Sequence, residues 1–164
     1  MAQTDNFLKI DIPGESEDSQ KKGWFDLLDF DLDVSQAGSM AFGGGGGTGQ
    51  AHFGNIPIET FVGKSTPELM LKCATGKHFP KAEIVCRKAG DKPIEYLKVV
   101  LTDVMITSYR MRPGTGGAMS RERWGLDYAK IELSYQHQNK DGSPGGWVTK
   151  WYNVKTNQNG STTA

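Results

Sequence analysis

The sequence predicts a mainly β fold, a two-sheet β-barrel or sandwich with one short flanking α-helix and a long glycine-rich loop. Apolar and polar residues alternate with period two in roughly seven segments, as in strands that bury one face. A single segment, residues 65–76, has the spacing of a helix. Glycine supplies 21 of the 164 residues and is concentrated between the predicted strands, so it marks loops and not a fibrous repeat.

The first two predicted strands precede the glycine-rich loop. Residues 7–12 alternate and stop at Pro13 and Gly14, a pair typical of turns. The clearest alternation follows in residues 28–34, so we expect one face of this strand to meet the core and the other to be acidic. The apolar face is Leu28, Phe30, Leu32 and Val34, and the acidic face is Asp29, Asp31 and Asp33.

A third strand and the helix follow the loop. Residues 51–62 alternate, and Pro57, which has no N–H to donate, predicts an edge or a bulge there. In the helix, Ser65 can serve as the N-cap with Glu68 closing a capping box, and Gly76 can end it. A helix of about ten residues is not stable alone, so we expect it to pack on the sheet.

The second half of the chain continues as strands joined by turns rich in glycine and proline. The strand-like segments are residues 82–87, 96–109, 126–138 and 147–154. We therefore expect a single domain over residues 1–156. The polar residues 157–164 predict a disordered C-terminal tail.

The glycine-rich loop lies within residues 38–54 and has five consecutive glycines, from Gly43 to Gly47. Glycine loses much backbone entropy on ordering and brings no side chain to bury. The segment is therefore either a slack tether or a loop that becomes ordered against a partner. The residues alone leave both possibilities open.

Composition narrows the classes of function. Lysine plus arginine equals aspartate plus glutamate at 19 each, so the basic excess typical of proteins that bind nucleic acid or membrane surfaces is lacking. Two cysteines are too few for a disulfide scaffold and indicate reduced, cytoplasmic thiols. No stretch approaches the roughly 20 apolar residues of a membrane span, and residues 1–15 lack the pattern of a cleaved signal peptide.

Local motifs predict no catalytic, cofactor or metal site. Residues 63–65 imitate the end of a P-loop, but Ile58 stands where that motif needs glycine. Residues 29–33 begin like a calcium loop, but Val34 and Met40 replace its required glycine and glutamate. The histidines show no HxxxH spacing, the cysteines no CxxC spacing, and no GxSxG motif occurs. The sequence thus gives no sign of an enzyme.

Four arginines flank a PGTGG loop, Arg110 and Arg112 before it and Arg121 and Arg123 after it. A nucleic-acid-binding patch would use such residues. The balanced net charge instead favours an exposed loop or a subunit interface.

Several longer motifs occur in an order that resembles one protein family. They are PGES at 13–16, GWFDLLDF at 23–30, VSQAGS at 34–39, the glycine run, the helix and following strand at 65–90, PIEYLKVVLTDVMITSY at 93–109 and AKIELSYQ at 129–136. Together they resemble the Hcp family, the tube-forming proteins of bacterial type VI secretion systems, over about residues 7–154.

The resemblance implies a β-barrel of two sheets whose copies close into hexameric rings around a wide channel. The rings would stack into a tube that a contractile sheath drives outward behind a VgrG-type spike, with small effector proteins held in the lumen. It also implies a structural subunit with no enzymatic activity, cofactor, nucleic-acid partner or membrane insertion. Such a protein leaves the bacterial cytoplasm through the type VI machine without a signal peptide.

The resemblance favours a glycine-rich loop that contacts another subunit or ring. The predicted contact residues are Ser39, Met40, Phe42, Gly43, Gly44, Gly45, Gly46, Gly47 and Phe53. The carboxylates of Asp29, Asp31 and Asp33 would face either the lumen or a subunit interface. Two alternatives are a monomeric β-sandwich binding module that presents the loop to a ligand, and a hydrolase whose residues are distant in sequence.

Overall fold

The computed structural model describes residues 4–38 and 48–163, which contain eleven strands and one helix. The strands are β1 (Thr4–Lys9), β2 (Phe25–Asp26), β3 (Asp29–Phe30), β4 (Val34–Gly38), β5 (Thr48–Phe53), β6 (Ile56–Phe61), β7 (His78–Lys88), β8 (Ile94–Arg112), β9 (Arg121–Gln138), β10 (Pro144–Asn153) and β11 (Gln158–Thr163). The helix α1 (Thr66–Thr75) lies between β6 and β7. The predicted mainly β fold with a single short helix is therefore confirmed for the described residues.

The strands form one large antiparallel sheet and one small one. The large sheet has the order β11-β10-β9-β8-β7-β1-β2, and β4 and β5 pair separately. Strand β9 is 18 residues long and has room for two partners on one side. It pairs with β6 through residues 121–126 and with β10 through its second half. Strand β3 pairs with the other side of β6. The described pairs leave both ends of the main path open, so the sheet is not a closed barrel.

A single hydrophobic core is shared by the two parts of the large sheet, which are the main path from β11 to β2 and the side branch of β6 and β3. Ile58 of β6, Ile84 of β7 and Leu101 of β8 are all fully buried in it. Leu69 is the buried residue of α1, which packs against β8 as expected for a helix too short to stand alone.

The start of the helix differs from the prediction and its end agrees. Ser65 occupies the N-cap position, but its hydroxyl donates to the carbonyl of Pro13, and no side-chain cap forms. The predicted capping box is therefore wrong, and Glu68 instead pairs with Lys72 at 3.1 Å. At the other end Gly76 adopts the left-handed conformation (φ 63°), and its N–H donates to the carbonyl of Cys73.

Residues 28–34 do not form the single strand that their alternation predicts. The chain pairs with β1 at Phe25 and Asp26, then crosses to pair with β6 at Asp29 and Phe30. Because of this crossing, Phe25 and Leu27 enter the core in place of the predicted face. Phe30 packs against the core, but three of the four predicted core residues stay exposed: Leu28 (38%), Leu32 (37%) and Val34 (57%).

Pro57 lies where its missing N–H costs least. The N–H of Asp31 donates to the Pro57 carbonyl, so the backbone polar atoms of Pro57 point toward the β3 side of β6. Strand β3 has only two residues and ends at Phe30. Strand β6 pairs with β9 on its other side in unbroken register, so Pro57 lies where the β3 ladder ends and not on an edge strand or at a bulge.

The C-terminal residues form a strand and not the disordered tail that their polarity predicted. Strand β11 pairs with β10 over its whole length, for example Trp151 opposite Gly160. A Cβ on Gly160 would lie 2.9 Å from the Trp151 indole, so glycine lets the backbone lie against that ring. The strand is held by backbone hydrogen bonds, which leave no apolar pattern in the sequence.

Candidate assembly surfaces

The long β8–β9 hairpin contains a β-bulge near the point where β8 stops pairing with β7. Its register shifts between Ile106 and Ser108, which places Thr107 in the bulge. The pairing of β8 with β7 ends nearby, with Met105 opposite His78. Beyond this point the described strands pair with β8 on the β9 side only. Residues 106–112 are therefore a sheet edge.

A buried carboxylate fixes the loop end of this hairpin. Glu122 is 2% exposed and accepts hydrogen bonds from the hydroxyls of Thr60 (3.1 Å), Thr66 (2.8 Å) and Tyr109 (2.8 Å). These donors come from β6, α1 and β8, so one side chain ties three elements to β9. Burial, followed by the hydrogen bond to Glu122, raises the pKa of Tyr109 to about 12.

Sequence reasoning did not single out Glu122. It lies in the run RERW, where the alternation places Glu122 on the same face as Trp124. Trp124 is fully buried and donates from its Nε1 to Thr60. The position of a buried tryptophan two residues later was the available signal that this glutamate faces inward.

The four arginines noted in the sequence come together on the outer face of the hairpin. Arg110 lies directly opposite Arg123, and Arg112 opposite Arg121, so like charges face each other across the ladder. Arg121 is paired with Glu59 at 3.1 Å. Among the described residues, no carboxylate lies within 4.0 Å of the other three guanidinium groups. We call these four residues the arginine face.

The arginine face lines an open cleft of about 640 Å³. Exposed apolar side chains lie beside it: Met119 (64%) in the cleft, Met111 (52%) on the strand, and Phe61, over which Arg121 stacks at 5.8 Å. A surface that combines uncompensated charge with exposed methionine and phenylalanine is typical of a protein interface.

The predicted acidic residues are exposed on the surface. Asp29 lies opposite Glu59 in the ladder between β3 and β6, and Asp31 lines the same shallow depression as Asp29 and Arg123. No described cation lies within 4.0 Å of Asp29, Asp31 or Asp33. The exposed Leu28, Leu32 and Val34 interleave with them. We call residues 28–34 the acidic strip.

Residues 39–47, which make up most of the predicted loop contact, lie outside the described residues. The flanking strands β4 and β5 form a hairpin ladder from Val34 opposite Phe53 to Gly38 opposite Thr48. The two ends of the loop are thus held together. Phe53 is half-buried and stacks on Tyr152 at 4.9 Å, so its ring already contacts its own chain.

The charged loop between β1 and β2 is anchored and not free. Arg87 is buried and donates to Asp18 (2.6 Å) and Asp5 (3.3 Å), while Lys21 pairs with Glu95 at 2.6 Å. The hydrogen bond from Arg87 lowers the pKa of Asp18 from 3.8 to about 2. The loop is therefore fixed against β7 and β8.

Metal ligands do not cluster in residues 4–38 and 48–163. No group of three or more histidine, cysteine or acidic side chains there could hold a metal ion. Both cysteines are free thiols, and burial raises the pKa of Cys86 to about 11, which keeps it protonated. Within the same residues, the helix is too short and too polar to cross a bilayer.

Comparison with known proteins gives a consistent result along the chain. The family model described as "Type VI secretion system effector, Hcp" matches residues 7–135. The chain is 36% identical over 156 residues to Protein hcp1 of Pseudomonas aeruginosa, covering 93% of this chain and 96% of that protein.

Solved structures agree in fold. One is described as the structure of a type six secretion system protein; it has a TM-score of 0.90 and 25% identity, and the match covers 96% of this chain and 100% of that one. Hcp1 from Salmonella typhimurium has a TM-score of 0.80 and 32% identity, with 97% and 99% covered. A type VI secretion system effector from Yersinia pestis has a TM-score of 0.75 and 29% identity, with 91% and 99% covered.

Proposed function

This chain belongs to the Hcp family of type VI secretion system proteins, and we propose that it is the subunit of the secretion tube. Family membership makes it a structural secreted protein and not an enzyme. In the proposal, six copies close into a ring around a channel, and rings stack into a tube.

The observation that carries the proposal is the exposure of the acidic strip. Its alternating apolar residues have the pattern of a strand that covers a core, yet Leu32 and Val34 contribute little to the core of their own chain. A second copy is the natural cover for such a surface. Rings require heterologous contacts, in which one face of a subunit meets a different face of its neighbour.

The glycine-rich loop has a role in the same assembly. We assign Ser39, Met40, Phe42 and residues 43–47 to a contact with an adjacent subunit or ring. The β4–β5 ladder supports this role because it joins both ends of the loop. The glycines would let the backbone approach a neighbour closely, and Met40 and Phe42 would supply the apolar area.

The remaining partners follow from the tube. Small effector proteins would occupy the lumen, the VgrG-type spike would cap the tube, and the contractile sheath would surround and drive it. The protein would leave the bacterial cytoplasm through this machine without a cleaved signal peptide. The carboxylates of Asp29, Asp31 and Asp33 would face either the lumen or a subunit interface.

The mass of the purified protein tests the proposal directly. Light scattering at increasing protein concentration is expected to give six times the chain mass. Negative-stain electron microscopy is expected to show annular particles with sixfold symmetry. A monomer at all concentrations would overturn the proposal. It would favour a monomeric binding module that presents the glycine-rich loop to a ligand.

A further inference from the structure

Arg110 and Arg112 of the arginine face lie at one edge of a four-stranded unit, and the acidic strip lies at the other edge. Strands β3, β6, β9 and the end of β8 are neighbours in that order. One row of the ladder crosses all four strands, with Asp29 opposite Glu59, Glu59 opposite Arg123, and Arg123 opposite Arg110. The row therefore runs from two acids at one edge to two bases at the other.

The two edges cannot neutralise each other within the chain. Three strand spacings separate Asp29 from Arg110, about 14 Å. That distance exceeds the Debye length of about 8 Å at physiological ionic strength. Glu59 compensates Arg121 at 3.1 Å, which leaves Arg110 and Arg112 at the outer edge without a described partner.

We propose that the acidic strip of one copy docks along the basic edge, residues 106–112, of a second copy. This inference rests on the proposed function, since it assigns the surfaces through which ring subunits would meet. Asp31 and Asp33 of one copy pair with Arg110 and Arg112 of the next. Leu32 and Val34 cover Met111.

A second copy fits this edge better than a nucleic acid or a free anion. The chain has 19 acidic and 19 basic side chains, so the counter-charge for the arginines is available in the same sequence. Both surfaces also carry exposed apolar residues, Met111 on one and Val34 on the other. A polyanion would satisfy the guanidinium groups but leave Met111 uncovered.

The arrangement is heterologous and can propagate. Each copy carries one acidic strip and one basic edge, so docking uses both surfaces and leaves one of each free at the ends of a chain of copies. Closure into a ring satisfies the last pair. It also covers β8 beyond Met105, an unpaired sheet edge that would otherwise favour aggregation.

Two charge-reversed proteins test the pairing. The first protein carries Arg110→Glu and Arg112→Glu, so its acidic strip and its former basic edge are both acidic. The second carries Asp31→Lys and Asp33→Lys, so both of its surfaces are basic. Each alone is expected to remain monomeric in light scattering at concentrations where the natural protein is hexameric. Mixed in equal amounts, they are expected to restore a hexamer in which the two proteins alternate.

The outcomes separate the inference from the proposed function. The pairing is wrong if either variant alone assembles to the same extent as the natural protein. It is also wrong if the folded variants fail to assemble when they are mixed. In both cases the proposed tube function stands. If the natural protein itself is monomeric, both are overturned. Circular dichroism verifies folding, and Lys92→Glu with Lys140→Glu is the matched control, since it reverses two exposed charges away from both surfaces.

Discussion

The hydroxyl of Tyr109 donates a hydrogen bond of 2.8 Å to Oε2 of Glu122, which is buried below the arginine face. This contact joins β8 to β9 in the part of β8 that no longer pairs with β7. Because Thr60 and Thr66 donate to the same carboxylate, the position of the arginines depends on one buried acid.

Replacing Glu122 with alanine is expected to destabilise the fold. The change leaves three hydroxyl donors without their acceptor, and each unsatisfied buried group costs about 1–3 kcal/mol. Since the hydroxyls can partly reorient, we expect a total loss of about 2–4 kcal/mol in the free energy of unfolding. Urea denaturation measures this loss.

Tyr109→Phe tests the same network with a smaller change. It removes one donor and should cost about 1–2 kcal/mol. Tyr135→Phe is the matched control, because Tyr135 is exposed and its loss of a hydroxyl should change stability by less than about 0.5 kcal/mol. Equal effects of the two tyrosine substitutions would contradict a special role for Tyr109.

The pair Asp18–Arg87 makes stability depend on pH below about pH 5. The pKa of Asp18 is about 2 in the folded protein and 3.8 ordinarily, so the unfolded chain binds the proton more readily. The contribution is complete above about pH 5 and is lost as the pH falls toward 2. After allowance for solvent screening, it amounts to about 1 kcal/mol.

Urea midpoints measured between pH 2 and pH 5 check this contribution. The natural protein should lose stability more steeply in this range than Asp18→Asn, which lacks the titrating group. Glu17→Gln is the control, since Glu17 lies beside Asp18 in the chain and is exposed. Parallel pH profiles for the natural protein and Asp18→Asn would show that the pair is not responsible.

The limits of sequence reasoning are clear in residues 28–34. Period-two alternation shows that a segment has an apolar side, but not whether the chain itself or another copy covers it. The sequence therefore placed Leu32 and Val34 in the core of their own chain, where the structure leaves them exposed. Glu122 was missed for a related reason, because a glutamate between two arginines resembles solvated surface unless the hydroxyl donors around it are known.

Elements with a strong local cause were predictable. Gly76 ends the helix because glycine readily adopts the left-handed conformation that satisfies the last helical carbonyls, and Pro57 lies beside the end of β3 because it has no N–H to donate there. Strand β11 had no such local cause. It forms because the backbone of β10 offers unpaired groups to any chain that lies beside it, and this does not depend on side chains.

Substitutions in the acidic strip should weaken assembly without unfolding the chain. Leu32→Asp and Val34→Asp each place a charge on a surface that is exposed in the single chain, so the free energy of unfolding of the monomer should change by less than about 0.5 kcal/mol. Burying that charge in a subunit interface would raise the concentration needed for hexamers at least about tenfold.

Light scattering over a dilution series measures this shift. Thr162→Asp serves as the control, because Thr162 is an exposed residue on β11, distant in the strand order from the acidic strip. If Leu32→Asp and Val34→Asp both assemble at the concentration of the natural protein, the acidic strip is not part of an interface.

Two phenylalanines at the glycine-rich loop should respond in opposite ways. Phe53 stacks on Tyr152 at 4.9 Å and packs against the core, so Phe53→Ala should cost about 1–3 kcal/mol of stability in the single chain. Phe42→Asp and Met40→Asp should leave the denaturation midpoint unchanged but impair ring stacking and secretion, because we assign these residues to contacts between copies. Denaturation, electron microscopy of stacked rings and a secretion assay together separate the two classes. A Met40→Asp, Phe42→Asp double variant that stacks and is secreted normally would exclude the loop from those contacts, whatever the stability of Phe53→Ala.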